Sequence, residues 1–347
     1  MRNGLTEGLK MQKMDWKGLG FKYRGTDCHI RYVWRDGKWS TGELVTEPYL
    51  NMHIAAACLH YGQAAFEGLK AFRCKDGAIR VFRPQENARR MANTARRVCM
   101  AEVPEAMFIE AITRVIKANE SYVPPYGTGG ALYVRPLLIG SGEQIGVAPA
   151  LEYTFIVLVV PVGSYYTDGL QPVKAVIMDD FDRAAPLGVG HVKVAGNYAA
   201  SLYAHEKAKK CGYPVELYLD AREHKYVEEF ATSNFIAITR AGVYVTPESR
   251  SILPSVTNQT LMQIYKDMGL KVEVRPIAYE ELSSFAEIAA CGTAVVVTPV
   301  CEIVRGTDVI KVGPEAGCGP VLQMLYETVQ GLQYGELEDR HGWCWKI

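Results

Sequence analysis

HVKVAGNYAAS, residues 191–201, is the stretch whose reading decides the fold. Asn197 is a good helix N-cap and Gly212 a good stop, so a helix is expected between them. A strand is expected before it at VKAVIMDD (173–180), and another after it at VELYLD (215–220), whose alternation reads as half-buried. Strand, helix and strand thus alternate around this stretch. Lys193 stands just ahead of the helix.

The same alternation extends outward. IRVFRP (79–84) reads as a strand, followed by a helix from about Gln85 to Met100 with Pro84 near its first position. Ala88, Met91, Ala92, Ala95, Val98 and Cys99 form that helix's apolar face. A helix over 105–119 and strands at ALYVRPLLIG (131–140) and LEYTFIVLVVPV (151–162) follow. GSYYTDGLQP (163–172) has turn chemistry and reads as an interdomain linker. Downstream, NFIAIT and VYVTP flank a hairpin turn at Arg240-Ala241-Gly242. Thr257 to Met268 reads as a helix, KVEVRPI (271–277) as a strand, EIAACGTAVVVTPV (287–300) as an apolar strand interrupted at Gly292-Thr293, and 319–333 as a last helix. The expected division is a smaller N-terminal α/β domain over 1–162, a linker over 163–173 and a larger C-terminal domain over 174–347.

At 347 residues the chain suits two domains. The 38 basic and 38 acidic side chains balance, which argues against nucleic acid or an anionic membrane as the main partner. The first twenty residues lack an apolar signal-peptide core, and TFIVLVVPVG (154–163) is too short to span a bilayer. Nine scattered cysteines without a Cys-x-x-Cys pair suit a reduced cytoplasmic protein. None of the seven histidines forms a metal-binding cluster, so no protein-bound metal is expected.

Lys193, Tyr198 and Glu229 (in YVEEFATSN, 226–234) come in an order that suits a pyridoxal phosphate site. A lysine amine condenses with the aldehyde, a carboxylate pairs with the pyridinium nitrogen, and a phenol steadies the ring oxygen. Three residue types alone are weak. Most lysines are solvated, and an aromatic at a helix start more often fills core. Glu228 and Glu229 should face opposite sides of a strand, so only one can face a cofactor.

The surrounding words carry a resemblance: YGQAAFEGLKAF (61–72), FRPQENARRM (82–91), LYVRPLLIG (132–140), PVGSYY (161–166), KVAGNY (193–198), EEFATSNF (228–235), ILPSVT (252–257) and CGTAVVVTPV (291–300). In this order and spacing, from about residue 15 to 335, the chain resembles the branched-chain amino acid aminotransferases, fold-type IV enzymes dependent on pyridoxal 5'-phosphate. The resemblance implies a mixed α/β (α+β) chain of two domains, the cofactor in the cleft between them, and a homodimer or higher homo-oligomer. It implies Lys193 as the catalytic lysine, which holds the cofactor and shuttles the proton, Glu229 at the ring nitrogen and Tyr198 at the ring oxygen. Arg90 would bind the phosphate, with the N–H groups of Val256 and Thr257 at a helix start. Thr232, Leu253 and Thr293 complete the expected cofactor contacts. The N–H groups of Thr293 and Ala294 would meet the substrate α-carboxylate, and Tyr133 with Arg135 the distal carboxylate of glutamate. Phe21, Phe66, Tyr165 and Val147 would wall the apolar pocket, with Tyr61 and Val147 reaching in from a second subunit.

Other uses fit several of these residues. Thr257 could simply cap its helix, and Gly292-Thr293 could be a β-bulge without a ligand. Arg135 could pair internally with a glutamate, and Phe21 and Phe66 serve equally as core. Where some relatives carry a Cys-x-x-Cys after the Gly-Thr-Ala turn, this chain has Val295 and Thr298, so thiol regulation there is not expected. The expected activity is reversible, ping-pong amino transfer between L-leucine, L-isoleucine or L-valine and 2-oxoglutarate, so the partners are small amino acids and 2-keto acids. A D-amino acid aminotransferase or an aminodeoxychorismate lyase of the same fold is the alternative.

Overall fold

The computed structural model describes residues 14–16, 18–164 and 169–347. The apolar runs near 131–140 and 151–162 pair antiparallel over ten residues, from Ala131–Val162 to Gly140–Tyr153. They are the centre of a first sheet built from β1 (His29–Arg35), β2 (Lys38–Trp39), β3 (Glu43–Val45), β4 (Ala64–Phe66), β5 (Leu69–Arg73), β6 (Ile79–Phe82), β7 (Ala131–Gly140) and β8 (Tyr153–Val162). A short helix α1 (Ala57–Tyr61) precedes β4, and α2 (Pro84–Arg97) and α3 (Glu105–Ala118) connect β6 to β7. The α2 and α3 apolar faces, including Met91, Ala95, Phe108 and Ile112, share one core with Leu132, Val134, Phe155 and Val157. Full burial of the larger of these, such as Met91, Phe108 and Ile112, contributes roughly 1.5–3 kcal/mol each. The two-residue period of β7 turns Leu132, Val134 and Leu138 into that core. Tyr133 and Arg135 consequently face the other way, toward the second half of the chain.

The second half contains β9 (Val173–Ile177), α4 (Ala195–Lys210), β10 (Val215–Leu219), β11 (Val227–Phe230), β12 (Ser233–Thr239), β13 (Tyr244–Pro247), α5 (Val256–Asp267), β14 (Val272–Arg275), β15 (Phe285–Gly292), β16 (Val296–Arg305), β17 (Asp308–Lys311) and α6 (Pro320–Gln333). Its sheet runs β11-β10-β9-β16-β15-β12-β13-β14, with β17 on β16, and β11 also pairs with β12. That pairing closes six strands into a ring filled by Ala175, Leu217, Phe230, Phe235, Ile288 and Ile303. A last strand, β18 (Cys344–Lys346), returns to pair with β6, so the end of the chain completes the first sheet. The elements are the mixed α/β set expected.

Several local expectations are corrected. The helix after Lys193 begins at Ala195, two residues before Asn197. The Asn197 amide donates to the carbonyls of Val189 and Val192 instead of capping. The cap of α5 is Ser255, whose side chain accepts from Asn258 N, and Thr257 lies one residue inside the helix. VELYLD is buried on both faces apart from its first and last residues, because strands β9 and β11 flank it inside the closed sheet. Helix α2 ends at Arg97, short of Met100, where Cys99 takes a left-handed φ of 54°. The break at Gly292-Thr293, by contrast, is as read: of its two readings the structure has the turn and not the bulge, with β15 and β16 an antiparallel hairpin.

Candidate active site

Lys193 ends the loop before α4 and points into a cleft of about 740 Å³ between the two sheets. Its Nζ donates to the Tyr198 hydroxyl at 2.6 Å and lies 4.8 Å from the centroid of the Phe66 ring. Burial, with the nearby Arg90 guanidinium, pushes the amine down to about 7. Tyr198 sits in the first turn of α4, where burial pushes its phenol up to about 12, so it keeps its proton at neutral pH.

Glu229 enters from the opposite wall. Its carboxylate accepts from Leu253 N at 2.8 Å and from Asn234 Nδ2 at 2.7 Å, and pairs with Arg183 at 2.8 Å. Burial pushes the carboxyl up to about 7 against the pull of these partners, Arg183 first. Glu228 turns to Ser249 Oγ, 2.7 Å away, and does not line the cleft, as strand alternation requires.

Arg90 projects from α2. Its Nε and Nη2 donate to the two Glu67 oxygens, both at 2.7 Å, and Nη1 donates to the Pro254 carbonyl at 2.9 Å, just ahead of α5. The N–H groups of Val256 and Thr257 lie in the first turn of α5, which offers them no intrahelical acceptor. Both residues line a small cavity of about 30 Å³ that shares Gly68, Gly292 and Thr293 with the main cleft. Arg89, Arg96 and Arg97 on the same helix are exposed.

Tyr133 and Arg135 share the cleft face of β7, with Arg135 Nη2 donating to the Tyr133 hydroxyl at 2.8 Å. Arg135 makes no internal pair with a glutamate among the described residues, and its buried Nε has no hydrogen-bond partner there. The guanidinium rests over the rings of Phe66 and Tyr133 at 4.9 and 5.1 Å. A Cβ at Gly68 would clash with the Tyr133 hydroxyl, so only glycine permits this placement. Phe21 packs edge-on against Tyr133 and, with Phe66, walls the same end. Thr232, Leu253, Thr293 and Ala294 also line the cleft. Tyr61 and Val147 do not: they are 44% and 88% exposed, and the Tyr61 hydroxyl donates to the Ile145 carbonyl. Tyr165 lies outside the described residues.

Some site residues were not expected from the sequence. Arg183, buried and paired with Glu229, gave no local pattern in DDFDRAAP to mark it. Glu67, the fully buried partner of Arg90, sits unremarked within a quoted word. Lys70 reaches across from β5 and donates to the Ala294 carbonyl at 2.6 Å, its amine pushed down to about 8 by burial. Among the described residues no cluster of three or more His, Cys, Asp or Glu could hold a metal ion, and no helix is long and apolar enough to cross a membrane.

A buried amine titrating near neutrality has a measurable consequence. Between about 7 and the ordinary 10.5, the unfolded chain holds a proton at Lys193 that the folded chain does not, so this group's contribution to stability rises with pH across that window. In cofactor-free protein, the melting temperature of wild type relative to Lys193→Met is therefore expected to climb from pH 7 to pH 10. A difference that stays flat would exclude the lowered amine.

The donor set fits pyridoxal 5'-phosphate. An amine, a protonated phenol and a buried carboxyl line one cleft, and an arginine stands at a helix start with free N–H groups. The Amino-transferase class IV family matches residues 64–303. The chain is 46% identical to the branched-chain-amino-acid aminotransferase of Haemophilus influenzae, covering 97% of this chain and all of that one. It is 44% identical to the enzyme of that name from Helicobacter pylori, covering 97% and 99%. The solved branched-chain amino acid aminotransferase of Escherichia coli superposes with a TM-score of 0.75 at 28% identity, covering 90% of this chain and 98% of that one. That of T.th., solved with pyridoxamine 5'-phosphate, superposes with a TM-score of 0.76 at 26% identity over 90% and 97%. The family match over residues 64–303 and the near full-length likeness to these enzymes lead to one assignment: the chain belongs to the class IV aminotransferases, within the branched-chain amino acid aminotransferases.

Proposed function

We propose that the Lys193 cleft transfers an amino group, reversibly and by a ping-pong route, between L-leucine, L-isoleucine or L-valine and 2-oxoglutarate, with pyridoxal 5'-phosphate as cofactor. When bound, the cofactor supplies an electrophilic carbon and an electron-poor ring that stabilises negative charge beside the substrate Cα. Lys193 would hold it through its amine, Arg90 and the Val256 and Thr257 N–H groups its phosphate, and Glu229 the proton on its ring nitrogen. Tyr198 would donate to its ring oxygen, with Thr232, Leu253 and Thr293 alongside.

The chain's own residues then divide the work. Lys193 Nζ, which burial makes easier to deprotonate, takes the proton from the substrate Cα and returns it in the reverse half-reaction. Thr293 and Ala294 bind the α-carboxylate through their N–H groups. Phe21 and Phe66 enclose the aliphatic side chain and exclude water. Arg135 and Tyr133 receive the distal carboxylate of glutamate at the rim. The single observation that carries this reading is the Lys193–Tyr198 contact at 2.6 Å in the cleft that Glu229 also enters.

Residues 1–162 and 174–347 would act as two domains either side of the cleft, with β18 crossing back. Ile54, Leu59, Tyr61, Ile145 and Val147 form a neighbouring exposed apolar group, which supports a homodimer in which Tyr61 and Val147 face the partner's cleft. Nine free thiols suit a cytoplasmic setting.

The test is a substrate panel. L-leucine with 2-oxoglutarate should turn over, while D-alanine as donor and aminodeoxychorismate alone should not. Activity confined to either of the latter would replace the reading with its rivals, which full-length relatives of 46% and 44% identity already disfavour. In the same assay Arg135→Met is expected to raise KM for 2-oxoglutarate by about 10–100-fold, the weight of a charge-assisted hydrogen bond. KM for L-leucine should change by less than about threefold. Equal effects on both would remove Arg135 from the distal-carboxylate role.

A further inference from the structure

Lys193 takes neither of its main-chain hydrogen bonds from its own half of the molecule. Its N–H donates to Thr94 Oγ1 at 3.0 Å, and its carbonyl accepts from Phe66 N at 3.2 Å. Ala65 and Val194 form an isolated antiparallel bridge beside them. Thr94 and Phe66 both belong to the N-terminal half, so the lysine's backbone is docked across the cleft rather than held by the loop that carries it.

Thr94 is built for this task. It is fully buried on α2, four residues after Arg90. Its hydroxyl proton is committed to the Arg90 carbonyl at 3.0 Å. A hydroxyl has one proton and two lone pairs, so what Thr94 presents to Lys193 is acceptor only, matched to an N–H. The back-bond also fixes the rotamer, so the acceptor has one position. Valine has the same shape and cannot accept. One turn of α2 thus carries the Arg90 guanidinium and the main-chain anchor of Lys193. Movement of that helix shifts both together.

We propose that Thr94 is a positioning residue for the reaction: its hydroxyl sets the distance and direction from which the Lys193 amine reaches the substrate Cα, and it couples that amine to the Arg90 grip through one helix. This rests on Lys193 being the reacting amine. Misplacement of a reacting group by about 1 Å can cost around a hundredfold in rate, whereas loss of one uncharged anchor displaces it less. The expected signature is a fall in kcat of about tenfold for Thr94→Val with KM for L-leucine within about twofold, because the carboxylate and side-chain sites are untouched.

The experiment compares holoenzyme of wild type, Thr94→Val, Thr94→Ala and Thr94→Ser. Steady-state kinetics with L-leucine and 2-oxoglutarate are measured together with the pH titration of the yellow absorbance, which reports the amine's surroundings without turnover. Valine and alanine should both lower kcat and shift the titration midpoint. Serine, which retains the acceptor, should restore both toward wild type. Including alanine keeps a packing defect peculiar to valine from deciding the outcome. Wild-type kcat and an unshifted midpoint in both acceptor-free variants would overturn the role of Thr94 while leaving Lys193 in place. So would a serine variant as impaired as valine. A wild type that takes up no pyridoxal phosphate would remove the reading of the cleft itself, and this inference with it.

Discussion

Lys193→Ala is expected to abolish turnover of L-leucine with 2-oxoglutarate, by at least about 10⁴-fold, while the protein still binds pyridoxal phosphate without a covalent link. The physical case rests on the state of the amine. An ordinary lysine is cationic at neutral pH and neither attacks a carbon nor accepts a proton. Here burial and the Arg90 guanidinium bring the group down to about 7, and the Tyr198 hydroxyl 2.6 Å away gives it a fixed hydrogen-bond partner. Among the described residues Lys193 is the one lysine that lines the cleft. Lys70 is also buried, but its Nζ is tied to the Ala294 carbonyl, at the far side of the hairpin turn. Borohydride reduction of wild type should fix the cofactor to Lys193 and to no other lysine, read by peptide mass. Turnover in the alanine variant within about a hundredfold of wild type would mean that another group moves the proton.

The second large effect concerns Arg90. Its loss is expected to weaken cofactor binding and stability together, for separable reasons. Glu67 is fully buried, and both its oxygens accept from Arg90. Among the described residues, Arg90→Met leaves that carboxylate with only the Asn87 amide at 2.7 Å and the weak contact of Gly68 N at 3.4 Å. An uncompensated buried charge of this kind costs about 3–5 kcal/mol. Adding Glu67→Leu should recover most of the loss in denaturant unfolding, because a buried pair exchanged for apolar side chains is often close to neutral. Cofactor affinity should behave differently. It should weaken by about 10–100-fold in the single variant and stay weak in the double one, since a guanidinium at the start of α5 is missing from both. If the double variant regained affinity, Arg90 would be a structural partner of Glu67 and not a phosphate ligand.

How much of this was legible beforehand varies with the physics involved. Strands β7 and β8 could be read because long apolar runs bounded by turn residues have few other fates. Tyr133 and Arg135 could be placed on one face because a strand's period is two. The same rule says that Glu228 and Glu229 face apart, as they do, while the preference for Glu229 comes from the family resemblance. Local capping was read less well. Asn197 is a plausible cap, but the amide finds two carbonyls in the preceding loop, and that choice depends on how residues 189–192 fold back. VELYLD looked half-buried because its pattern alternates. It is buried on both faces because the ring closes around it, and closure is set by the distant pairing of β11 with β12.

The amino-acid sequence alone determined the mixed α/β class and the family, and with the family the lysine to be tested. Residue type and short-range periodicity act locally and survive being read along a line. Only the tertiary structure decided what surrounds those groups: Arg183 against Glu229, Glu67 under Arg90, Lys70 on the Ala294 carbonyl, and Thr94 on the backbone of a lysine 99 positions away. These partners come from separate elements and are chosen by burial. A charge or an N–H removed from water must be met by whatever the fold brings within about 3 Å, and no spacing in the chain records which residue that will be.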